Sequence, residues 1–322
     1  MLRKLPFILE CSRVFSLPMT IMSWLVIFAY SITVAGNKLY GFIALLGVCL
    51  VHLATNVLDD YFDYKTLIKQ VNFDKKEYLQ NSQKTKCRYL ISGMVQEKDM
   101  LYWALFYLFF AGLIGVYFFF KCGVGVLYFA IIGGLIAFLY SFLSKIRLSE
   151  LAIAIAYGPA LFGGIYYVMT KTYSWEVFVL SIPTMFITVI LLYIHTVMDF
   201  EFDIKEGHNT IANAFDSSLD SLVVLKWLIL FAYSAPIILC ILDIADWQVL
   251  LCWLTIPLAI DLYKSMVDYT INSESIPEHK WFHFPMEDMR GASNFMIRMY
   301  QSRNLTIYYT LLFVLGLVLS YN

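Results

Sequence analysis

Two groups of acidic residues lie at the ends of long apolar segments, and their spacing suits metal chemistry. In the first group, Asn56, Asp59, Asp60 and Asp63 recur at intervals of three and four residues. Residues with this spacing share one face of an α-helix. Their carboxylate and amide oxygens are hard ligands of the kind that Mg²⁺ prefers. The first group therefore predicts an oxygen-lined wall that binds a divalent cation.

The second acidic group repeats this arrangement farther along the chain. His195, Asp199 and Asp203 follow one another at intervals of four residues. Carboxylates crowded at a membrane boundary would repel an anionic substrate unless divalent cations lay between them. We therefore expect two facing walls that hold a diphosphate through Mg²⁺; the alternative is that each group is a solvated helix end. The predicted metal ligands are Asp59, Asp60, Asp63, Asp199 and Asp203.

The composition assigns the chain to the polytopic membrane proteins. Its 322 residues are 60% apolar and 17% aromatic, with a mean hydropathy of +0.70, whereas soluble domains are about half apolar. Nine apolar runs are long enough to cross roughly 30 Å of hydrocarbon as α-helices. We therefore predict an all-α membrane protein with nine transmembrane helices. The predicted spans are residues 17–36, 40–59, 99–120, 123–144, 150–169, 175–198, 222–241, 246–264 and 304–321.

The distribution of lysine and arginine predicts the orientation of these spans. The amino terminus and the loops after the even-numbered spans hold 19 of the 23 basic residues. Because cytoplasmic loops carry the excess of positive charge, we expect the amino terminus and these loops to be cytoplasmic. Both acidic groups then lie on the cytoplasmic side of a single domain, residues 1–322. The predicted cytoplasmic loops are 60–98, 145–149, 199–221 and 265–303.

Basic residues near the acidic groups are suited to binding phosphate. Arg88 precedes Ser92 and Gly93 in the first long loop, and Lys145 and Arg147 lie in the short turn after the fourth span. Guanidinium and ammonium groups donate charge-assisted hydrogen bonds to phosphate oxygens. The topology alone also places basic residues at cytoplasmic helix ends, so both interpretations stay open. We expect no nucleic-acid partner.

The order of these motifs resembles the UbiA superfamily of membrane prenyltransferases. The first acidic group is followed by Arg88-x-x-x-Ser92-Gly93, then Tyr140-Ser141, Tyr157-Gly158-Pro159 and Asp199-x-x-x-Asp203-x-x-x-Gly207-x-x-Thr210. The chain is most similar to the menaquinone-type branch, which prenylates dihydroxynaphthoate, because of Asp60-Tyr-Phe-Asp63-Tyr and Tyr157-Gly158-Pro159. That branch implies a bacterial inner membrane.

The resemblance implies a helical bundle around a central cavity and a Mg²⁺-dependent reaction. A polyprenyl group would pass from its diphosphate to an aromatic acceptor in the lipid bilayer, in quinone biosynthesis. The catalytic residues implied are Asp63, Asp199, Asp203 and Tyr140, the last as an aromatic near the allylic carbon. The substrate-binding residues implied are Asn56, Asp59, Asp60, Arg88, Ser92, Lys145, Arg147 and Lys205.

Three positions depart from the family pattern. Asp59 stands where the family usually has Asn, which keeps an oxygen ligand. Leu67 stands four residues after Asp63, where another acid is expected, and Asp74 is a candidate replacement from the loop. His208 stands where the family usually has Lys, so that a fixed positive charge becomes one that titrates near neutrality. The first acidic group is thus one ligand short.

Two other functions are consistent with the sequence. A UbiA-like scaffold without turnover would explain Leu67 and His208. A transporter would place polar residues along the middle of several spans, whereas the acids here lie at span ends. Two histidines, His52 and His195, each lie one turn before a polar residue of an acidic group. Each is either an acceptor-activating base or a hydrogen-bonded packing residue.

Overall fold

The computed structural model describes residues 5–69, 74–80, 87–206, 209–278, 280–283 and 293–321. Every regular element within these ranges is helical, and nine of the helical segments there are long and apolar enough to cross a membrane. The prediction of an all-α protein with nine spans is confirmed. We label these helices α1 to α9: Leu17–Thr33, Lys38–Leu67, Glu97–Cys122, Gly125–Leu143, Ser149–Thr170, Trp175–Met198, Ser218–Ile241, Trp247–Ile271 and Asn294–Ser320.

Several helices extend beyond the predicted spans. The helix α2 ends at Leu67 and not at residue 59, so Asp60 and Asp63 are helical residues and do not lie in a loop. The helices α8 and α9 likewise reach Ile271 and begin at Asn294, which shortens the predicted loop 265–303. Apolar content marks only the part of a helix within the hydrocarbon, because polar residues continue a helix into water without adding hydropathy.

The connections on the acidic side contain short helices. The segments Lys75–Gln80 and Arg88–Ser92 lie between α2 and α3, and Phe200–Glu206 follows α6 almost without interruption. The turn between α4 and α5 is the 3₁₀ segment Ser144–Ile146. The loops that carry the predicted phosphate-binding residues are therefore partly helical.

The segment before α1 is broken at Arg13. A short helix, Leu5–Cys11, is followed by Arg13 with a left-handed backbone (φ 51°) and then by the 3₁₀ segment Val14–Ser16. A non-glycine residue with positive φ is uncommon and costs free energy. The break redirects the chain so that the Arg13 side chain reaches α2.

The helix α5 is interrupted by a π-type turn over Ala156–Ala160. Pro159 has no backbone N–H and so cannot donate in the helix, and Gly158 leaves the helical region (φ −95°, ψ −111°). Such turns re-aim individual side chains and are frequent at functional sites. Here the turn contains Tyr157, and the motif Tyr157-Gly158-Pro159 therefore has a structural basis.

The helices differ in how deeply they are buried. In the most apolar stretch of each helix, 67% of α6 is buried, but only 17% of α3 and 11% of α4. Large side chains on α3 and α4, such as Phe109, Phe120 and Phe138, are exposed. Exposed apolar surface of this extent suits contact with lipid. The helix α6 is therefore central, and α3 and α4 lie at the periphery.

Candidate active site

The first acidic group begins with a buried ion pair that the sequence did not predict. The carboxylates of Asp59 and Asp60 lie on α2 and are only 3% and 2% exposed as residues. The Arg13 guanidinium donates to both, with Nη2–Oδ distances of 3.3 Å to Asp59 and 2.5 Å to Asp60. One cation thus offsets two buried negative charges, whose burial without a partner would be costly.

Asp63 lies one turn farther along α2 and contacts the α4–α5 turn. Its Oδ1 accepts a hydrogen bond of 3.0 Å from the Ser141 hydroxyl, and Lys145 Nζ lies 3.5 Å from the same oxygen. Lys145 Nζ also donates to Thr66 Oγ1 at 3.1 Å. The two predicted motifs, the acidic group and the basic turn after the fourth span, are therefore in direct contact.

The second acidic group continues the line of α6 past its end. Asp199 is the C-cap of α6, and its backbone N–H donates to the His195 carbonyl at 3.0 Å. The Asp203 N–H in turn donates to the Asp199 carbonyl at 2.8 Å, so the three residues stay stacked across the helix junction. The His195 ring nitrogen Nδ1 lies 3.3 Å from Asp199 Oδ2. The predicted shared face is confirmed for this group.

Both acidic groups open onto one cavity of about 970 Å³. It lies among helices α1 to α6 and also contacts the amino-terminal end of α9. Its volume is in the upper range for small-molecule sites. The predicted site residues that line it are Asn56, Asp59, Asp63, Tyr140, Asp199 and Asp203. The geometry therefore brings together carboxylates separated by more than a hundred residues of sequence.

The other predicted residues whose side chains are described do not line this cavity. Asp60 is buried against Arg13, and Lys145 reaches Asp63. The Arg147 backbone N–H donates to the Asn209 carbonyl at 2.9 Å. Arg88 is exposed, and the Ser92 hydroxyl donates to the Tyr89 carbonyl of its own turn. Lys205 belongs to a described helix, but its side chain, like Gly207 and His208, lies outside the described residues.

The helix containing Arg88 and Ser92 is anchored to the amino-terminal segment. The Tyr89 hydroxyl donates to the Glu10 carboxylate, and this hydrogen bond, together with partial burial, raises the pKa of Tyr89 to about 12. The Cys87 thiol donates to the Asp60 carbonyl at 3.2 Å. These contacts fix the position of this helix, and the Arg88 side chain on it is exposed to solvent.

The position expected to carry a further acid is apolar in structure as well as in sequence. Leu67 is 6% exposed and packs with Cys87 and Ile91. Asp74, the candidate replacement, is exposed, and its Oδ1 accepts a hydrogen bond from the Lys76 backbone N–H at 2.7 Å. A short intra-loop hydrogen bond of this kind is typical of a helix start. Asp74 therefore caps the helix Lys75–Gln80, and it is not among the residues that line the cavity.

The donor set fits Mg²⁺ in a particular way. Within the described residues, no three His, Cys, Asp or Glu side chains are grouped closely enough to hold one ion. Mg²⁺ usually keeps several waters and is bound through one or two carboxylates together with substrate phosphates. Two separate carboxylate walls on one cavity are the arrangement that this mode of binding requires. Asp63 on one side and Asp199 and Asp203 on the other suit it.

Along α3 and α4 the cavity wall is apolar and has little bulk. Gly112, Gly115, Gly133 and Gly134 lie on α3 and α4, and a Cβ added at any of them would meet no atom within 4 Å. The wall between the two lipid-facing helices therefore leaves open space. An extended hydrocarbon chain could lie there with its polar end at the carboxylates.

One feature of the cavity was not predicted. Arg13 lines it beside Asp59. Arg13 precedes the first predicted span, where topology alone accounts for a basic residue, so no feature of the sequence indicated its ion pair. His52, which the sequence left as either an acceptor-activating base or a hydrogen-bonded packing residue, also lines the cavity and is hydrogen-bonded to three hydroxyl groups.

The start of α9 and the residues before it are held against α8 by polar contacts. Arg298 is fully buried, and its guanidinium donates to the carbonyls of Ser265, Ser275 and Asn294. Lys280 pairs with Asp261 of α8, and this hydrogen bond raises the pKa of Lys280. On the same side, Phe295, Met299, Tyr300 and Arg303 of α9 line the cavity.

The fold is that of a polytopic membrane protein. At one end of its largely apolar cavity, carboxylates form a site suited to binding a cation. The sequence profile of the UbiA prenyltransferase family matches residues 16–285, which is most of the chain. The protein belongs to the UbiA prenyltransferase family and is an integral membrane protein. The predicted family is thereby confirmed, and Arg13 lies just outside the matched residues.

Solved structures with the same fold agree with this assignment. A structure from work on digeranylgeranylglyceryl phosphate synthase in membranes is 16% identical, with a TM-score of 0.61, and the alignment covers 98% of this chain and 99% of that one. A UbiA homologue from Aeropyrum pernix K1, in its apo form, is 14% identical (TM-score 0.59, 93% and 97% covered). A UbiA homologue from Archaeoglobus fulgidus bound to GPP and Mg²⁺ is 13% identical (TM-score 0.55, 95% and 99% covered). No curated protein sequence matches the chain significantly.

Proposed function

We propose that this protein transfers a polyprenyl group from its diphosphate to an acceptor in the membrane. The observation that carries the proposal is that both acidic helix ends line one apolar cavity of about 970 Å³. A polyprenyl diphosphate has a matching shape, with a doubly ionised head and a long hydrocarbon tail. The UbiA homologue from Archaeoglobus fulgidus that was solved with GPP and Mg²⁺ supports this choice of donor.

Asp63, Asp199 and Asp203 would hold Mg²⁺ against the diphosphate, with Asp59 next to them on α2. When bound, the ion supplies positive charge that stabilises the departing diphosphate. Lys145 lies 3.5 Å from Asp63 and Arg13 lies beside Asp59, so both place a fixed cation at the same end of the cavity. These side chains orient the head group and leave the allylic carbon toward the apolar part.

Aromatic side chains would shelter the allylic carbon as positive charge develops on it. Tyr140 lines the cavity on α4, one residue before Ser141, whose hydroxyl contacts Asp63. Ring faces attract cations, and an apolar chamber excludes the water that would otherwise quench the reaction. The tail would lie along the open glycine-lined wall between α3 and α4.

We further propose an aromatic acceptor, with dihydroxynaphthoate of menaquinone biosynthesis as the leading candidate. The motifs Asp60-Tyr-Phe-Asp63-Tyr and Tyr157-Gly158-Pro159 support this branch. The corresponding location is a bacterial inner membrane, with the acidic groups and the amino terminus on the cytoplasmic side. A scaffold without turnover is the second candidate, favoured by Leu67 at the position of an expected acid.

A prenyl-transfer assay on membranes containing the protein tests the proposal. Labelled polyprenyl diphosphate and Mg²⁺ would be supplied with dihydroxynaphthoate, hydroxybenzoate, homogentisate or a glyceryl phosphate lipid, and the lipid products analysed. We expect one acceptor to be prenylated, and we expect the Asp63→Ala and Asp199→Ala variants to form no product.

The control variant is Lys226→Gln, a substitution of an exposed residue on α7, which should leave product formation unchanged. Folded protein that forms no product from any acceptor, but still binds prenyl diphosphate, would support the scaffold. Binding of neither donor nor acceptor would reject both candidates and favour transport.

A further inference from the structure

A cluster of hydroxyl groups surrounds His52 in the wall of the cavity. We call the residues Ser16, Thr20, His52 and Tyr157 the hydroxyl cluster; they come from the start of α1, from α2 and from the π-type turn of α5. His52 Nε2 lies 2.7 Å from Ser16 Oγ, and His52 Nδ1 lies 2.6 Å from Thr20 Oγ1 and 2.7 Å from the Tyr157 hydroxyl. All four residues line the cavity. No role assigned above uses this cluster.

The hydrogen bonds of Ser16 determine the tautomer of His52. The Ser16 hydroxyl donates its single proton to the Arg13 carbonyl at 2.7 Å. The Ser16 oxygen can then only accept from His52, so Nε2 carries the imidazole proton. A neutral imidazole with a protonated Nε2 has an acceptor lone pair on Nδ1. His52 Nδ1 therefore accepts a hydrogen bond from Thr20 or Tyr157.

This arrangement leaves oxygen lone pairs, not protons, available to a ligand. Of the Thr20 and Tyr157 hydroxyls, one donates to His52 Nδ1. The other can donate to the oxygen of the first. His52 and Tyr157 are half-buried, and the surface they retain is in the cavity wall. The Tyr157 oxygen is thus poised to accept a hydrogen bond, and a ligand that meets it must bring a donor.

The hydroxyl cluster lies at a suitable distance from the acidic groups. His52 is one turn before Asn56 and seven residues before Asp59 on the same helix. At a rise of 1.5 Å per residue this is a separation of about 10 Å along α2. One aromatic ring with its substituents spans such a distance. An acceptor that contacts the cluster would therefore present its ring toward the diphosphate end of the cavity.

We propose that the hydroxyl cluster is the acceptor subsite and that it recognises a hydroxyl group of the acceptor. The Tyr157 oxygen accepts the hydrogen bond from that hydroxyl, and His52 is a positioning residue that, directly or through Thr20, holds the Tyr157 proton away from the ligand. The inference rests on the proposed function for the identity of the ligand as an acceptor. It adds that the site selects acceptors that donate a hydrogen bond over their ethers.

Binding measurements separate this inference from the proposed function, because they do not require turnover. Purified full-length protein would be titrated calorimetrically with a naphthol and with its methyl ether, which keeps the ring but cannot donate. We expect the naphthol to bind about three- to tenfold more tightly, the range for one neutral hydrogen bond. The Tyr157→Phe variant should bind both ligands equally and should keep its affinity for geranyl diphosphate.

The Tyr167→Phe variant is the matched control. Tyr167 lies on the same helix, and its hydroxyl donates to the Cys122 carbonyl at 2.9 Å, outside the cavity wall. This variant also loses a tyrosine hydrogen bond but should keep the preference for the naphthol. A structural effect common to both variants would lower the preference in both and would contradict the proposal.

Two substitutions of His52 test its positioning role. In His52→Asn an amide oxygen can take the place of Nδ1, whereas His52→Leu offers no acceptor. We expect the Asn variant to retain most of the naphthol preference and the Leu variant to lose it. Equal binding of naphthol and ether by the wild type, or an unchanged preference in both Tyr157→Phe and His52→Leu, would overturn the inference even if prenyl transfer is observed.

Discussion

The two acidic groups share a cavity but differ in how their charges are balanced. In the first group, Arg13 pairs with Asp59 and Asp60, and Lys145 lies beside Asp63. In the second, Asp199 Oδ2 lies 3.3 Å from the ring of His195, which is charged only when protonated. The carboxylates of the first group are also the more buried, at 2–7% exposed. The first group is therefore organised largely by cations of the protein itself.

This difference suggests a division of labour within one site. Buried carboxylates that already have guanidinium and ammonium partners are held in place and gain less from an added ion. Asp199 is less buried and lines the cavity, so a cation that arrives with the substrate can reach it. We infer that Asp59 and Asp60 mainly hold the first group in place, whereas Asp63 and the second group contact the ion. The predictions below test this asymmetry, from the largest expected effect to the smallest.

The largest difference should appear when one carboxylate of each group is neutralised. We expect Asp199→Asn to reduce prenyl transfer at least about a hundredfold, because charge stabilisation of the departing diphosphate is lost. Asp60→Asn should reduce it less than about tenfold, since Asp60 lies outside the cavity wall and pairs with Arg13. Steady-state rates at saturating Mg²⁺ measure both. Equal losses would contradict the division of labour.

Removal of Arg13 should affect stability more than any single change in the second group. The Arg13→Gln variant leaves Asp59 and Asp60 buried without their cation. We expect the free energy of unfolding to fall by about 2–3 kcal/mol, which is low for a broken buried ion pair because Arg13 is partly exposed. Thermal unfolding in detergent micelles would show the loss as a lower Tm.

The double variant Arg13→Gln/Asp60→Asn provides the control. It removes one of the two unbalanced charges and should recover part of the lost stability. Lys226→Gln, an exposed substitution on α7, should leave the Tm unchanged. If the double variant is less stable than Arg13→Gln, then the ion pair does not explain the effect.

A smaller effect is expected from Lys145. Its ammonium competes with an added cation for Asp63 Oδ1, at a distance of 3.5 Å, but the side chain is 27% exposed and the pair is partly screened. Lys145→Gln should therefore lower the Mg²⁺ concentration for half-maximal activity by about threefold. The KM for prenyl diphosphate should rise in the same variant. A higher Mg²⁺ requirement would mean that Lys145 does not compete with the ion.

The sequence predicted the number of spans and the shared face of the second acidic group well, for a physical reason; in the first group Asp60 does not share the cavity-lining face of Asn56, Asp59 and Asp63. Hydropathy and helical periodicity are local properties, and both are strong in a membrane protein. The end of α2 was placed eight residues too early because Asp60 and Asp63 interrupt the apolar run while the helix continues to Leu67. Polar helix ends are not visible to hydropathy.

The contacts between distant segments were the part that the sequence did not reveal. Arg13 reaches Asp60 only because the helix is interrupted at Arg13 itself, which has a left-handed backbone. The pattern of apolar and polar residues around it does not predict that interruption. Arg88 has the residue type for phosphate binding but is exposed, because Tyr89 fastens its helix to the amino-terminal segment. Side-chain direction in loops depends on such tertiary contacts.

The most direct test of the central claim, that both acidic groups form one diphosphate site, is Mg²⁺-dependent binding of geranyl diphosphate to the purified protein by calorimetry. We predict that Asp63→Asn and Asp199→Asn each weaken the same binding event by at least about tenfold, and that the double variant loses less than the sum of the two single losses, as expected for coupled residues. Wild-type binding retained in either single variant, or losses that simply add, would contradict a shared site.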